Sequence, residues 1–170
     1  IEPAGVRTRD GKLHALDVLV LATGFAVDRF MRPIAVTGHQ GLALNQVWDP
    51  SPFAYLMVTV PGFPNLFMLN GPSSPVGNYP LIEVAEQQMA YALQLIEPLR
   101  QGTCRAIAPT RAATQRYEAE RVAAALDTVW ATGCNSYYLD AQQVPMAWPW
   151  TIERFYAEMA APRAPDFERD

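Results

Sequence analysis

An almost uninterrupted apolar run, DVLVLA at residues 17–22, limits the possible folds of this chain more than any other stretch. A run that is apolar at consecutive positions suits a central strand covered on both faces, as in parallel α/β sheets. The run stops at Gly24, and a second candidate of the same kind, NLFMLN at residues 65–70, stops at Gly71. The sequence therefore predicts two buried strands that each end in a glycine-containing corner.

Local signals predict a hairpin and three helices around these two strands. A DG pair at residues 10–11 is a strong turn signal between two short extended stretches. Apolar residues at helical spacing predict one helix over about 81–100 and another over about 111–131, the latter with Thr110 as its N-cap. A last short helix is expected after Thr151.

The segment GPSSPVGNYP, residues 71–80, lies between the second strand candidate and the helix over 81–100. The N-terminus of a helix carries free N–H groups and a partial positive charge, and a glycine-rich loop before it lets an electron-rich ligand approach closely. In open α/β sheets, ligands bind beyond the carboxyl ends of the strands. Both strand ends are therefore predicted to line one cofactor cleft.

The composition excludes several other classes of function. Half of the 170 residues are apolar and 18% are charged, which favours a packed domain over disorder. The net charge is −4 without any lysine- or arginine-rich run, so we expect no nucleic-acid partner. Two cysteines without CxxC spacing and two isolated histidines predict no metal site and favour the cytoplasm. No apolar run reaches the length of a transmembrane helix.

Three segments in tandem resemble the flavin-containing and Baeyer–Villiger monooxygenases. LDVLVLATGF, residues 16–25, is similar to the ATG-type segment at which that family returns from its NADP domain to its FAD domain. VPGFPNLFMLNGPSSPVGN, residues 60–78, resembles the family's GFPNLF…GP segment. VWATGCNSYYLDAQQVPMAWPW, residues 129–150, resembles the C-terminal tail and favours the Baeyer–Villiger-like branch.

The resemblance implies an α/β fold, namely the C-terminal portion of a flavoprotein with two Rossmann-like dinucleotide-binding domains for FAD and NADP. Residues 1–22 would be the end of the NADP domain with the returning crossover strand, and residues 23–170 the C-terminal part of the FAD domain with an aromatic-rich tail. The family's two GxGxxG motifs do not occur in this chain. We expect them, and the arginine that the Baeyer–Villiger branch uses, in a missing N-terminal portion of the same enzyme.

The resemblance also implies cofactor contacts, and no catalytic residue within the chain. The junction at 23–25 would lie beside the nucleotides, and the turn at 71–72 would pass the flavin. Segment 78–82 would face the pyrimidine end of the flavin, and Tyr137 stands where the family usually has a tryptophan near the nicotinamide. The expected cofactor-binding residues are Thr23, Gly24, Phe25, Gly71, Pro72, Asn78, Tyr79, Leu81, Ile82 and Tyr137.

The resemblance implies a complete enzyme that uses FAD, NADPH and O2 to insert one oxygen atom, through a C4a-peroxyflavin, into a small-molecule ketone or soft heteroatom. A disulfide reductase is disfavoured, because the segment at 70–72 lacks that family's aspartate and no CxxC is present. A non-catalytic binding module that retained the fold is the alternative in a different class. Either way, an apolar face meant for the missing portion predicts that the lone chain is poorly soluble.

Overall fold

Helices supply most of the regular structure of this chain, and its strands are short. The computed structural model describes residues 1–24, 26–27, 29–75, 77, 79–133 and 136–170. The strands are β1 (Gly5–Arg7), β2 (Leu13–Ala15), β3 (Ile107–Pro109) and β4 (Phe167–Arg169). The helices are α1 (Leu44–Val47), α2 (Leu81–Arg100), α3 (Arg111–Leu126) and α4 (Ile152–Met159). Single 3₁₀ turns lie at His39–Gly41, Val129–Ala131 and Ala164–Asp166.

The N-terminal hairpin forms as predicted. β1 pairs with β2 in antiparallel register, with Val6 opposite His14. Gly11 adopts a φ of 85°, and its N–H donates to the Thr8 carbonyl oxygen at 2.9 Å. Because a left-handed φ is accessible to glycine at little cost, the DG pair closes this turn without strain.

The three longer helices are confirmed, and their capping residues explain most of their bounds. The Thr110 hydroxyl oxygen accepts the Ala113 N–H at 3.1 Å and starts α3, and the Thr151 hydroxyl starts α4 in the same way. Helix α2 ends before Gly102, whose φ of 71° stops the helix. Helix α3 ends at Leu126, earlier than predicted, and the chain continues into a 3₁₀ turn.

The apolar run at residues 17–22 is not a strand, so this prediction was wrong for the chain as it is folded here. Residues 17–24 have no hydrogen bond to another described residue. Val18 is 76% exposed and Val20 is 79% exposed. A strand forms only where a neighbouring strand satisfies its backbone, and the described part of the chain places none beside this run.

The segment at residues 65–70 is partly buried but irregular, which corrects the second strand prediction. Asn65 and Asn70 adopt left-handed φ values of 61° and 50°, which an extended strand excludes. The Asn65 N–H donates to the Ile107 carbonyl oxygen at 2.9 Å, and the Asn65 Oδ1 accepts the Ile107 N–H at 3.0 Å. These contacts tie the segment to β3 without extending a sheet.

The sheets of the described residues are two antiparallel pairs, β1–β2 and β3–β4. The predicted mixture of helices and strands is therefore confirmed, whereas the predicted parallel arrangement is not formed among these residues. No helix in this part of the chain is long and apolar enough to cross a membrane.

The main core surrounds a buried turn at residues 55–59. The Tyr55 N–H donates to the Thr59 carbonyl oxygen at 2.7 Å, and the Tyr55 hydroxyl donates to Asp166 Oδ2 at 2.6 Å. Helices α2, α3 and α4 and strand β4 pack around this turn through Val84, Tyr91, Leu95, Ala113, Tyr117, Phe155, Met159 and Phe167. A second cluster contains Leu44, Trp48, Val60, Phe63 and Met68. The two clusters hold the loop that precedes α2.

Candidate functional site

The loop at residues 71–75, which precedes α2, is buried although its sequence is typical of a surface turn. All five of its residues are buried. Gly71 passes so close to the core turn that a Cβ added there would lie 2.1 Å from the Met57 carbonyl oxygen. Only glycine, which has no Cβ, can lie this close to the Met57 carbonyl oxygen, so this contact accounts for the glycine at position 71. The predicted site residues Gly71 and Pro72 are therefore part of a rigid, packed loop.

Gln88 of α2 anchors this loop, and the sequence analysis did not identify it. Its side chain is fully buried. Its Oε1 accepts the Asn70 N–H at 2.6 Å, and its Nε2 donates to the Ser74 hydroxyl oxygen at 3.1 Å. The sequence did contain a signal for this role, because Gln88 is a polar residue on a face of α2 that is otherwise apolar and includes Val84 and Leu95.

Asn70 joins the loop to the start of α2. Its Nδ2 donates to the Leu81 carbonyl oxygen at 3.5 Å. Its Oδ1 is buried and has no hydrogen-bond partner among the described residues. A buried amide oxygen without a partner is costly, so such atoms are often found where a ligand or water completes the site.

The start of α2 presents free backbone donors. The helix begins after Pro80 without a side-chain cap, and its first turn exposes Leu81 and Ile82. The amides of the first helical turn have no intrahelical acceptor and carry the positive end of the helix dipole. Glu83 does not cap them, because its carboxylate accepts a hydrogen bond from the Tyr156 hydroxyl. The electron-rich edge of a ligand could accept hydrogen bonds from the backbone amides of this first turn.

Three distant segments of the sequence converge beside the loop. A Cβ added at Gly24 would lie 3.8 Å from the Tyr137 Cδ1, and one added at Gly77 would lie 3.8 Å from the Tyr138 hydroxyl oxygen. The Tyr137 and Tyr138 rings lie 4.6 Å apart. The structure therefore brings the predicted residues Gly24 and Tyr137 together, next to the end of the loop that contains Gly71.

A cavity of about 200 Å³ adjoins Tyr137. Ser51 and Asp140 form its polar wall, and the Ser51 hydroxyl donates to Asp140 Oδ2 at 3.0 Å. Val27 and Met146 are among its apolar lining residues. The cavity offers both hydrogen-bonding and apolar surface at the edge of the converging segments.

The other predicted site residues are distributed as follows. Thr23 is exposed and has no hydrogen bond to another described residue. Tyr79 packs against the main core and lines an open groove of about 600 Å³ together with Trp150, over which Arg154 stacks at 3.8 Å. Phe25 and Asn78 lie outside the described residues. In the described part of the chain no group of three or more metal-ligating side chains occurs.

The Tyr137 hydroxyl affects the ionisation of Tyr138, which gives a local probe of the site. The neighbouring Tyr137 hydroxyl is the main cause that raises the pKa of Tyr138, and burial adds to it. In a Tyr137→Phe variant we expect the pKa of Tyr138 to fall toward its ordinary value. NMR titration of selectively labelled tyrosine measures this change. A Tyr156→Phe variant is the control, and an unchanged Tyr138 pKa in Tyr137→Phe would contradict the assigned contact.

Comparison with curated proteins finds monooxygenases. The chain is 44% identical over 160 residues to an uncharacterized monooxygenase of Mycobacterium tuberculosis, covering 94% of this chain and 32% of the relative. It is 31% identical over 137 residues to a Baeyer–Villiger monooxygenase of Pseudomonas aeruginosa, covering 79% of this chain and 26% of that protein. The chain thus spans about a quarter to a third of the length of these two relatives. No model of a protein family matches it.

Solved structures of monooxygenases are also similar to this chain. The closed structure of cyclohexanone monooxygenase superposes with a TM-score of 0.82 at 33% identity, over 98% of this chain and 32% of that one. The structure of OTEMO in complex with FAD and NADP superposes with a TM-score of 0.83 at 25% identity, over 100% of this chain and 32% of that one. The fold described above is therefore similar to about one third of each of these enzymes.

Proposed function

We propose that this chain supplies the wall of a flavin site in an FAD-binding or Baeyer–Villiger monooxygenase. It is related over 94% of its length to the Mycobacterium tuberculosis monooxygenase and over 79% to the Pseudomonas aeruginosa Baeyer–Villiger monooxygenase, and it covers 32% and 26% of those proteins. The complete enzyme would use FAD, NADPH and O2 to oxygenate a small organic ketone or a soft heteroatom. The observation that carries the proposal is the rigid loop at 71–75, which precedes the uncapped start of α2.

The start of α2 suits the pyrimidine end of a flavin. When bound, FAD reduced by NADPH would supply the chemistry that activates dioxygen and transfers one oxygen atom to the substrate. The chain's own contribution is electrostatic: amides at Leu81 and Ile82 and the helix dipole stabilise negative charge that develops beside them. Glu83 lies in the same turn, where its carboxylate accepts a hydrogen bond from the Tyr156 hydroxyl.

The loop before α2 contributes position rather than charge. Gln88 fixes Asn70 and Ser74 from the inside, and Gly71 keeps the backbone against Met57. A preorganised backbone holds a planar ligand without paying for loop ordering at each binding event. The unpartnered Asn70 Oδ1 is an additional acceptor at the same place.

Tyr137 and Gly24 suit the nicotinamide side. Tyr137 is half exposed, and its ring lies next to Gly24 at the end of the segment that resembles the domain junction. An aromatic ring with a hydroxyl group offers both a stacking surface and a hydrogen bond to a nicotinamide carboxamide. We propose that Thr23, Gly24 and Tyr137 bound the place where NADP approaches the flavin.

A chimera tests this function directly. This chain replaces the matching segment of the Mycobacterium tuberculosis relative, and the purified protein is assayed for bound-flavin absorbance and NADPH oxidation. We expect flavin to co-purify, a ketone or an organic sulfide to accelerate NADPH oxidation, and isotopically labelled oxygen from O2 to appear in the product. A chimera that is folded by circular dichroism but binds no flavin would contradict the proposal.

A matched pair of variants isolates the helix start. Ile82→Asp adds a carboxylate where negative charge is proposed to develop, and it should lower NADPH oxidation by about tenfold. An acidic residue in the first turn stabilises a helix, so the melting temperature should not fall. Val129→Asp introduces the same charge at an equally exposed position outside the site and should leave the rate unchanged.

A further inference from the structure

We propose that Arg121 is a positioning residue. Its buried guanidinium holds the hairpin at residues 138–146, and through this hairpin it fixes the Tyr137 ring beside Gly24. The inference rests on the proposed function only for what the Tyr137 ring contacts, which is a bound nicotinamide. The placement of the ring itself can be measured without any cofactor.

The segment that carries Tyr137 has little packing of its own. Among the described residues from 126 to 144, none is buried, and the next residue along the chain, Pro145, is fully buried. The Tyr137 ring lies beside the Tyr138 ring, which meets the Trp130 ring edge-on at 5.5 Å. A segment with so few buried contacts is held in place only where it is anchored to the core.

The backbone of the hairpin leaves one buried acceptor to be satisfied. Leu139 and Pro145 form an antiparallel bridge, and next to it the Met146 N–H donates to the Tyr138 carbonyl oxygen at 2.7 Å. Antiparallel pairs alternate between residues that bond each other and residues that do not, and Leu139 and Pro145 are of the second kind. The Pro145 carbonyl therefore points away from the hairpin and needs a donor from elsewhere.

Arg121 supplies this donor from inside the core. Its Nη1 donates to the Pro145 carbonyl oxygen at 3.1 Å, and its side chain is only 6% exposed. Its Nε and Nη2 lie 3.0 and 2.9 Å from the Glu118 Oε2, one turn earlier in α3. Because the guanidinium is a planar fork with fixed donor directions, contacts on both sides hold it in one orientation. It therefore links helix α3 rigidly to the hairpin.

Stability alone does not account for a buried ion pair at this place. Taking Arg121 and Glu118 out of water costs about as much as their attraction returns, and apolar replacements of such pairs are often neutral or stabilising. What an apolar residue could not supply is the directed hydrogen bond to Pro145. The pair thus favours one placement of the hairpin over others.

Trp148 is the other anchor of this segment, and it acts differently. It packs in the main core three residues beyond Pro145. Apolar packing fixes where the chain enters the core, but it is not directional. The hydrogen bond from Arg121 is directional, so it sets how the hairpin is turned about that entry point.

The hairpin carries this placement to the proposed cofactor site. The Tyr137 ring lies 4.6 Å from the ring of Tyr138, whose carbonyl oxygen is bonded within the hairpin. Tyr137 also shares the wall of the cavity of about 200 Å³ with Met146, and its ring lies next to Gly24. Since a small misplacement of a contact group lowers the share of productive complexes, Arg121 should affect the use of NADPH and not the binding of flavin.

The placement of Tyr137 is tested first in the chain without cofactor. In protein with labelled glycine and tyrosine, a nuclear Overhauser effect between the Gly24 α-protons and the Tyr137 ring protons reports the contact. Arg121→Met removes the guanidinium and its hydrogen bond to Pro145. We expect this Overhauser effect to be lost in the variant.

A double variant removes the hydrogen bond without leaving a buried charge. Glu118→Leu combined with Arg121→Met replaces the buried ion pair by two apolar side chains, so no carboxylate stays unpaired as it does in Arg121→Met. We expect the double variant to melt close to the parent chain and still to lose the contact between Gly24 and Tyr137. Retention of that contact in the folded double variant would overturn the proposal.

The same two changes in α2 are the matched control. Glu97 and Arg100 form an ion pair at the same spacing, with Nη2 2.6 Å from Oε1, but both side chains are exposed and Arg100 has no hydrogen bond to any other described residue. Glu97→Leu combined with Arg100→Met should leave the contact between Gly24 and Tyr137 intact. If the contact were lost here too, it would not depend on Arg121.

The chimera then tests the consequence for NADPH. With Glu118→Leu and Arg121→Met, we expect the chimera to bind flavin like the parent chimera and the KM for NADPH to rise by about tenfold. The control changes in α2 should leave this KM unchanged. Loss of bound flavin in the Arg121 chimera would indicate a general structural role and refute the positioning role.

The two measurements separate this proposal from the proposed function. A lost contact with an unchanged KM would confirm that Arg121 places Tyr137 and would refute the assignment of Tyr137 to the nicotinamide. A retained contact would refute the role of Arg121 whatever the KM. A parent chimera that binds no flavin would refute the proposed function, and the Overhauser experiment would still decide the role of Arg121.

Discussion

Replacement of Gln88 by leucine is expected to lower the free energy of unfolding by about 2–4 kcal/mol. The side chain is fully buried, so its loss leaves the partly buried Asn70 N–H and the buried Ser74 hydroxyl without their partner. A buried donor without an acceptor costs its full desolvation penalty. Urea denaturation of the isolated chain, followed by circular dichroism, measures the change.

Two further variants separate the hydrogen bonds from the packing. Gln87→Leu makes the same change one residue earlier in α2, where the side chain has no hydrogen bond to another described residue, and should change stability by less than about 0.5 kcal/mol. Gln88→Glu keeps the shape and the acceptor but introduces a buried charge, so it should also destabilise. If Gln88→Leu were as stable as the parent chain, the anchoring role would be refuted.

The Gln88→Leu substitution should weaken flavin binding as well as lower the free energy of unfolding. Asn70 lies between Gln88 and the start of α2, so a loop released by Gln88→Leu also releases the Asn70 contact with Leu81. In the chimera we expect weaker flavin binding at temperatures where the variant is still folded. If the variant retained full flavin affinity, the hydrogen bonds of Gln88 would not be needed to hold the flavin site.

Gly71→Ala is the second change with a large expected effect. The added Cβ would lie 2.1 Å from the Met57 carbonyl oxygen and 3.4 Å from the Met68 Cβ. Backbone must move to relieve the first contact, and overpacking of this kind costs about 2–3 kcal/mol. Chemical denaturation of the variant and its parent measures the difference in the free energy of unfolding.

Gly102→Ala is the matched control for this clash. Its added Cβ meets open space, so its cost comes from the left-handed φ of 71° and should be about 1 kcal/mol. Gly71 is outside the left-handed region, so its cost is purely steric. If the two variants were equally stable, the close approach of the loop to Met57 would not limit the sequence at Gly71.

The sequence by itself determined the elements whose hydrogen bonds are local. The hairpin turn at residues 10–11, the long helix α2, the threonine cap of α3 and the start of α4 after Thr151 were predicted with nearly the observed bounds. Each depends on partners within a few residues, so the signals lie in the same short stretch. The motifs at 16–25, 60–78 and 129–150 likewise pointed to the monooxygenases that the comparisons found.

Only the tertiary structure decided the rest. The apolar run at 17–22 has strong strand character but no neighbouring strand among the described residues, and the segment at 65–70 bonds to β3 through Asn65. The burial of Gln88 and the approach of Gly24 to Tyr137 join residues far apart in sequence. A helix satisfies its own backbone, whereas a strand, a buried amide and a ligand cleft depend on partners that only the folded chain brings within reach.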